Sequence, residues 1–457
     1  MSESLDRLTA ALADRYRALM SVGQMLCAAL TVLSAAACSV ARNGEPDLAA
    51  YVDTLSAIDS HAHPMAYVAP SAPADTDFDA LPLDGIPAFD LPAALLASNP
   101  AYQRAQQSLY KTSASDNDSL RAAARTQAIR QYGDRFPVWV LDQLHIDMML
   151  ANRVAMGAGL TSPRFRWVSF ADPLMLPLDV SGEAERTPDT RALYPLEAKL
   201  LRRYLRDLGL VRVPVTFNGY LREVVGKTLR QQHDAGAVAI KFEAAYLRPL
   251  DFDPADSSTA AAIYERYASA GVPTHAEYKT LEDYLIRYIT REAGWLGMAV
   301  QIHSLDNFGK YYSTAGAAPH HLESMFSDPS LRGTNFIIVH AGWPLIDETI
   351  TQLKKPNVYA DISMMDQLAD SVQLSNALRM LLKSAPQKVM FGTDAFDGGA
   401  LQGWEQVGWV ASRNAREALR DMLIAMVDEN EISRQRARQL ARMILRDNAI
   451  AVYQLIR

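Results

Sequence analysis

The chain has 457 residues, 49% hydrophobic and 21% charged, a globular profile whose length suits one large domain with insertions as well as two or three smaller ones. A net charge of −7 and the lack of any basic run with interleaved aromatics exclude nucleic acid as an expected partner. Both cysteines, Cys27 and Cys38, precede residue 39, so the rest is expected to hold no disulfide, thiolate nucleophile or thiolate zinc site.

Arg15 and Arg17 stand before the apolar stretch ALMSVGQMLCAALTVLSAAAC, which reads as a secretory signal and predicts export to a periplasmic location. Cys38 follows Ala35, Ala36 and Ala37, the place where a bacterial lipoprotein is acylated, so a lipid anchor there is one expectation. Against it, the position three before the cysteine is Ala35 where Leu is usual, and the same small residues suit plain signal cleavage. A stretch of about 20 apolar residues is also long enough to stay in the bilayer as an anchor. The organisation expected is a signal over 1–38, a linker over 39–50 and one barrel over 51–457.

The first strand is expected near 56–60, in SAIDSHAH. About 80 residues then separate His63 from the next strand-like run near Ile146, too long for an ordinary loop and typical of a lid. This insertion, about 64–145, is Pro- and Asp-rich first and then helical in pattern (DSLRAAARTQAIRQYG). It leaves from the strand end that carries two histidines, so it should roof whatever they hold.

Strand-like and helical runs alternate from there: MMLANRV, RFRWVSFADPL, a helix near 217–235, AVAIKF, helices near 256–270 and 280–296, and MAVQIH. NFIIVH, a helix after Pro344, NVYADIS, a helix over 366–384, KVMFGTD and terminal helices complete the chain. Eight strands separated by helices is the pattern of an α/β fold of the (β/α)₈ TIM-like type. A doubly wound sheet would carry a Gly-rich turn after its first strand, where this chain has His-Ala-His.

Four of these runs stop on a side chain able to bind a metal: His61 and His63, His303, His340, and Asp394. Side chains at the C-terminal ends of parallel barrel strands face the active site, so these ends are expected to meet. His61 and His63 are two apart and point to one side, as chelation of one ion requires. Imidazole and carboxylate together suit Zn²⁺ and similar ions, which points to a catalytic divalent metal. His303 is a ligand candidate, His340 a ligand or catalytic group, and Asp394 both ligand and base toward an acidified water. Asp361 reads as a hydrogen-bonding support for the histidines. Lys241, ending AVAIK, has three readings: a carboxylated bridge between two metals, a cationic substrate contact, or a surface lysine. Arg248 could clamp a substrate carboxylate with its planar fork. His145, His233, His275, His320 and His321 read as structural or solvated.

With these residues in place the chain resembles the amidohydrolase-related group of the metal-dependent hydrolase superfamily, and within it the amidohydrolase-like domain associated with glutamine-synthetase-like proteins. SHAH, RFRWVSFADPL, AIKFEAAYLRPL, VQIHSLDNFG, VHAGWPLIDE, NVYADIS, KVMFGTDAF and ILRDNAIAVYQL carry the likeness, in the family's order. The resemblance implies that His61, His63, His303 and Asp394 form the metal shell and that His340 polarises substrate or shuttles a proton. Phe242-Glu243 and Ser304-Leu305 depart from the family at the mouth, so its substrate class does not transfer.

The expectation is a hydrolase that uses one divalent ion, Zn²⁺ by preference, to cleave an amide-type, ester or lactone bond of a small molecule. Asp394 would take the proton of water and His340 would polarise the carbonyl. A nonoxidative decarboxylase using Arg248 as clamp and a non-catalytic metal-containing binding protein are the alternatives. The oligomeric state stays open.

Overall fold

A computed structural model describes residues 47–82, 92–113, 115–305, 313–398 and 402–455. The signal and lipidation expectations, Cys38 included, lie outside the described residues. Contacts divide the chain into a unit Met1–Tyr51 and a unit Val52–Arg457. Of the first, only 47–51 are described, where the helix Leu48–Thr54 begins. Among the described residues no helix is long and apolar enough to cross a membrane.

The second unit is built on eight parallel strands: β1 Ala57–Ala62, β2 Ile146–Asn152, β3 Phe165–Phe170, β4 Ala237–Phe242, β5 Ala299–His303, β6 Phe336–Val339, β7 Val358–Asp361 and β8 Val389–Met390. They pair in chain order from β1 to β8. The backbone beyond β8 closes the ring: Ser60 N–H donates to the Phe391 carbonyl at 3.0 Å, Asp394 N–H to His61 at 2.8 Å and His63 N–H to Ala395 at 2.7 Å. The fold is the (β/α)₈ barrel expected.

Its strands read as unbroken apolar runs because both faces are covered; every residue of β5 and β6 is buried. Helices between them follow local signals. His275–Trp295 starts from a capping box in which Thr274 and Glu277 satisfy each other's backbone N–H. Asp370 caps Ser371–Ser384 by accepting from Val372 and Gln373. That cap splits the helix expected over 366–384, leaving Met365–Leu368 as a separate turn.

The barrel's lower end is plugged by the chain's last helix, Asn448–Tyr453. Ala449, Val452, Tyr453 and Leu455 pack with Ile58, Leu150, Val168, Ala239, Ala299, Ile337 and Met390 from the strands. Each Val- or Leu-sized side chain buried this way contributes roughly 1.5–3 kcal/mol. Asn448 Nδ2 donates to the Val389 carbonyl at 2.7 Å, tying plug to β8. The site therefore lies at the other end, where His63, His303, His340 and Asp394 emerge.

Two boundaries differ from expectation there. His340 opens a helical turn, His340–Gly342, after β6 rather than ending the strand, and Asp394 lies four residues past Met390. Both adopt positive φ, +62° at His340 and +49° at Asp394. Left-handed backbone is costly for a residue with a Cβ and persists only where the surroundings enforce it, a pattern that concentrates at functional sites.

Candidate metal centre

β1 and the segment after β8 supply the convergence. Asp394 Oδ1 lies 3.3 Å from His61 Nε2 and 3.4 Å from His63 Nε2, and these ligand atoms all fall within 4.8 Å of one another. The Asp394 turn is pinned from below. Asp59 accepts from Thr393 N–H at 3.0 Å and from its hydroxyl at 2.5 Å, while Gln367 Nε2 donates to the Thr393 carbonyl at 2.7 Å. Gly392 lets the segments approach closely: a Cβ there would sit 3.0 Å from Ser363 Cβ and 3.3 Å from His61 N, so these neighbours would have to give by a few tenths of an ångström.

On the opposite wall, His340 Nδ1 faces the Ser363 carbonyl at 3.0 Å, and the backbone N–H of His340 donates to Asp361 Oδ1 at 3.1 Å. A carbonyl can only accept, and the Ser363 hydroxyl, 2.9 Å from Nδ1, donates its hydrogen to Asp361, so Nδ1 carries the hydrogen and Nε2 is bare. That bare nitrogen stands 3.9 Å from Asp394 Oδ2 and 3.2 Å from His303 Nδ1. Asp361 thus orients His340 and contributes no atom to the convergent set.

Three of the four ligands implied by the resemblance meet. His303 does not join them within 4.8 Å, because its Nδ1 engages His340 and its ring packs on Tyr246 with centroids 4.4 Å apart. Its Nε2 is buried with no hydrogen-bond partner among the described residues.

Lys241 is no surface lysine: it is 1% exposed, with Nζ 3.3 Å from His61 Nε2 and 3.7 Å from Glu243 Oε1. Arg248 requires a correction. Its guanidinium is held by Glu282 Oε2 at 2.6 Å and Asp283 Oδ1 at 3.0 Å, and lies 4.4 Å over the Phe252 ring. The fork expected for a substrate carboxylate is occupied by the chain's own carboxylates. Of the other histidines, His275 pairs with Glu183 and His320 with Glu348, each at 2.8 Å, away from the centre.

Sequence reasoning missed Asp79 and Gln301, and placed Glu243 at the mouth without giving it a role. Asp79, from the insertion, meets His63 Nδ1 at 2.8 Å, and with Glu243 it forms a second group around His63. Nothing in an Asp-rich run singles out Asp79. Gln301 Oε1 lies 3.0 Å from His61 Nδ1; its position two before His303 puts it on the same face of β5, and that period was a usable signal.

The groups at the convergence are shifted far from their ordinary values. Burial, with Lys241 adding to it, holds His61 well below the usual imidazole range, and burial lowers His340 to about 4. His63 is pushed down by burial, but the Asp79 and Asp394 carboxylates outweigh this and raise it to about 10. Burial pushes Asp394 up, and the surrounding His340, His61 and His63 more than reverse it, leaving the carboxylate well below its usual range. Tetrahedral ligands on bonds of about 2.0–2.1 Å stand roughly 3.4 Å apart, and Asp394 Oδ1 matches that spacing to both imidazoles. Two nitrogens and a carboxylate oxygen fit a divalent cation.

A family model described as amidohydrolase matches residues 167–455, from within β3 to the C-terminal plug, so His61 and His63 precede the matched stretch. Protein fluG of Emericella nidulans is 23% identical over 442 residues, covering 88% of this chain and 46% of fluG. The chain thus spans about half the length of the curated relative it matches. A solved structure described as a metal-dependent hydrolase from Lactobacillus casei superposes with a TM-score of 0.56 at 16% identity, covering 91% of this chain and 100% of that one. Glucuronate isomerase from Caulobacter crescentus gives 0.55 at 13% identity, with 90% and 93% covered. At such identities the structures share the fold.

Proposed function

The chain belongs to the amidohydrolase family, and from that premise we propose that it hydrolyses a C–N or C–O bond of a small molecule at the centre formed by His61, His63 and Asp394. The observation that carries this reading is the convergence of those three side chains beside a bare His340 nitrogen. A divalent cation held there, Zn²⁺ by the donor set, would supply Lewis acidity and an acidified water.

Asp394 is held ionised by its neighbours and its side chain is 14% exposed, so it can accept a proton from attacking water. His340 is neutral, and its bare Nε2 accepts rather than donates. Of the two roles the resemblance implied for it, relay of a proton fits this tautomer; polarising a carbonyl would first require Nε2 to be protonated. Oδ2 of Asp394 at 3.9 Å from that nitrogen leaves a short path along which a proton moves toward a leaving group. Lys241, next to His61, supports either a substrate contact or a bridging role. The decarboxylase alternative loses the clamp it needed, because Arg248 is paired within the fold.

Elemental analysis of the purified chain should find about one divalent ion per molecule, and His61→Ala with His63→Ala should abolish it. Turnover of a surrogate amide, ester or lactone should vanish with the metal and return on adding it back. Full activity in protein stripped of metal would end this reading.

A further inference from the structure

The metal-facing histidine His61 is held from behind by a chain of contacts that begins at the opposite end of the barrel. Gln301, in β5 and fully buried, directs Nε2 at the Ser60 carbonyl, 2.9 Å away, and at the Tyr453 hydroxyl, 2.8 Å away. Its Oε1 meets His61 Nδ1 at 3.0 Å. Tyr453 reaches up from the helix Asn448–Tyr453 that plugs the barrel floor.

The amide orientation is decided by chemistry. A backbone carbonyl has no hydrogen, so the Gln301 atom facing Ser60 must be the NH₂ group; flipping the amide would set oxygen against oxygen in a buried site. Oε1 therefore faces His61, and an oxygen acceptor there requires Nδ1 to carry the hydrogen. Around Nε2 the neighbours disagree. Asp394 Oδ1 at 3.3 Å would accept a hydrogen from Nε2, whereas the Lys241 ammonium at 3.3 Å would donate to a bare Nε2. Gln301 breaks that tie, because its own orientation is fixed independently of both.

We propose that Gln301 and Tyr453 are positioning residues that hold His61 as the Nδ1–H tautomer, so that its Nε2 lone pair is presented to the cation. Tyr453 keeps the amide from rotating. The proposal rests on the reading of His61 as a metal ligand, and it makes the helix Asn448–Tyr453 part of the metal centre.

The test uses the full chain, labelled with ¹⁵N only at histidine and treated with chelator, in long-range ¹⁵N–¹H spectra. The His61 signals are identified by their loss in His61→Asn. A protonated Nδ1 and a bare Nε2 are expected. In Gln301→Leu the tautomer should shift toward Nε2–H, and Zn²⁺ titrated against a competing chelator should bind about 10- to 100-fold more weakly. Gln301→Glu, protonated on the oxygen that faces the Ser60 carbonyl as this buried contact requires, keeps an acceptor against Nδ1 and should restore the tautomer, which lost packing alone would not do. Tyr453→Phe keeps shape and removes one hydrogen bond, so a loss of about 2- to 10-fold in Zn²⁺ affinity is expected. An Nε2–H signal for His61 in the unmodified chain overturns the proposal, whatever the variants do. So does unchanged tautomer and affinity in Gln301→Leu, or, should that variant not fold, unchanged affinity in Tyr453→Phe. If the unmodified chain binds no Zn²⁺ while the tautomer is as expected, the functional reading fails and the Gln301 contact stands.

Discussion

Asp394 meets two demands that usually conflict. A metal ligand must stay ionised, and a base must give its lone pair to a proton; here the imidazoles keep the carboxylate charged despite burial, and its second oxygen faces His340. In Asp394→Asn an amide oxygen can still approach the cation, but nothing remains to accept a proton at neutral pH. Metal content should survive in part while turnover falls by about 10²- to 10⁴-fold. Metal content and kinetics measured on the same samples give the comparison; near-normal rates with metal retained would move the base elsewhere. His61, His63 and Asp394 were legible in the sequence because each ends a buried apolar run, and a ligand at a strand end stands out against such a background. Asp79 and Glu243 were not. They reach His63 through the insertion and the turn after β4, and no local pattern fixes where a loop carboxylate will lie.

At the scale of elements, most strands were read to within a residue or two, as AVAIKF shows by coinciding with β4, whereas RFRWVSFADPL ran four residues past the end of β3, where Asp172 opens a helical turn. β8 was overextended, because Phe391, Asp394 and Ala395 keep strand-like hydrogen bonds to β1 while Asp394 takes a positive φ. The insertion was recognised by length alone. What anchors its first limb is Arg153, just past β2 and 0% exposed. Arg153 Nη1 and Nη2 each meet an oxygen of Asp75 at 3.0 Å, and Nη1 also donates to the Pro64 carbonyl at 2.5 Å. A buried pair of this kind costs most when one partner is removed. Arg153→Met should therefore destabilise the fold by about 3–5 kcal/mol in denaturant unfolding, with part of the loss recovered when Asp75→Asn is added. Additive effects in that cycle would show that the two residues do not act as a pair.

At the scale of the whole molecule, the centre ties global stability to pH in two opposite senses. His340 is lowered to about 4 from an ordinary value of 6.5, so between those limits the unfolded chain binds a proton that the folded chain refuses. Its contribution is complete above pH 6.5 and is lost as pH falls through 4, at up to about 1.4 kcal/mol per pH unit. His63 is raised to about 10 from 6.5; its contribution is complete below 6.5 and is lost as pH rises through 10. In the chelator-treated chain these two contributions should be jointly largest near pH 6.5, read as the difference in urea midpoints between the unmodified chain and each variant from pH 4 to 9. His340→Gln should make the acid side shallower by its own share, the rest remaining with His61 and His303, which burial likewise holds well below the imidazole range. His63→Gln should flatten the alkaline side. With Zn²⁺ present, the ion takes the nitrogen that His63 would otherwise protonate, so the alkaline limb should fade as metal is added. An acid limb unchanged by His340→Gln would mean that the His340 nitrogen is not kept bare by the fold, and the proton relay assigned to it would lose its footing.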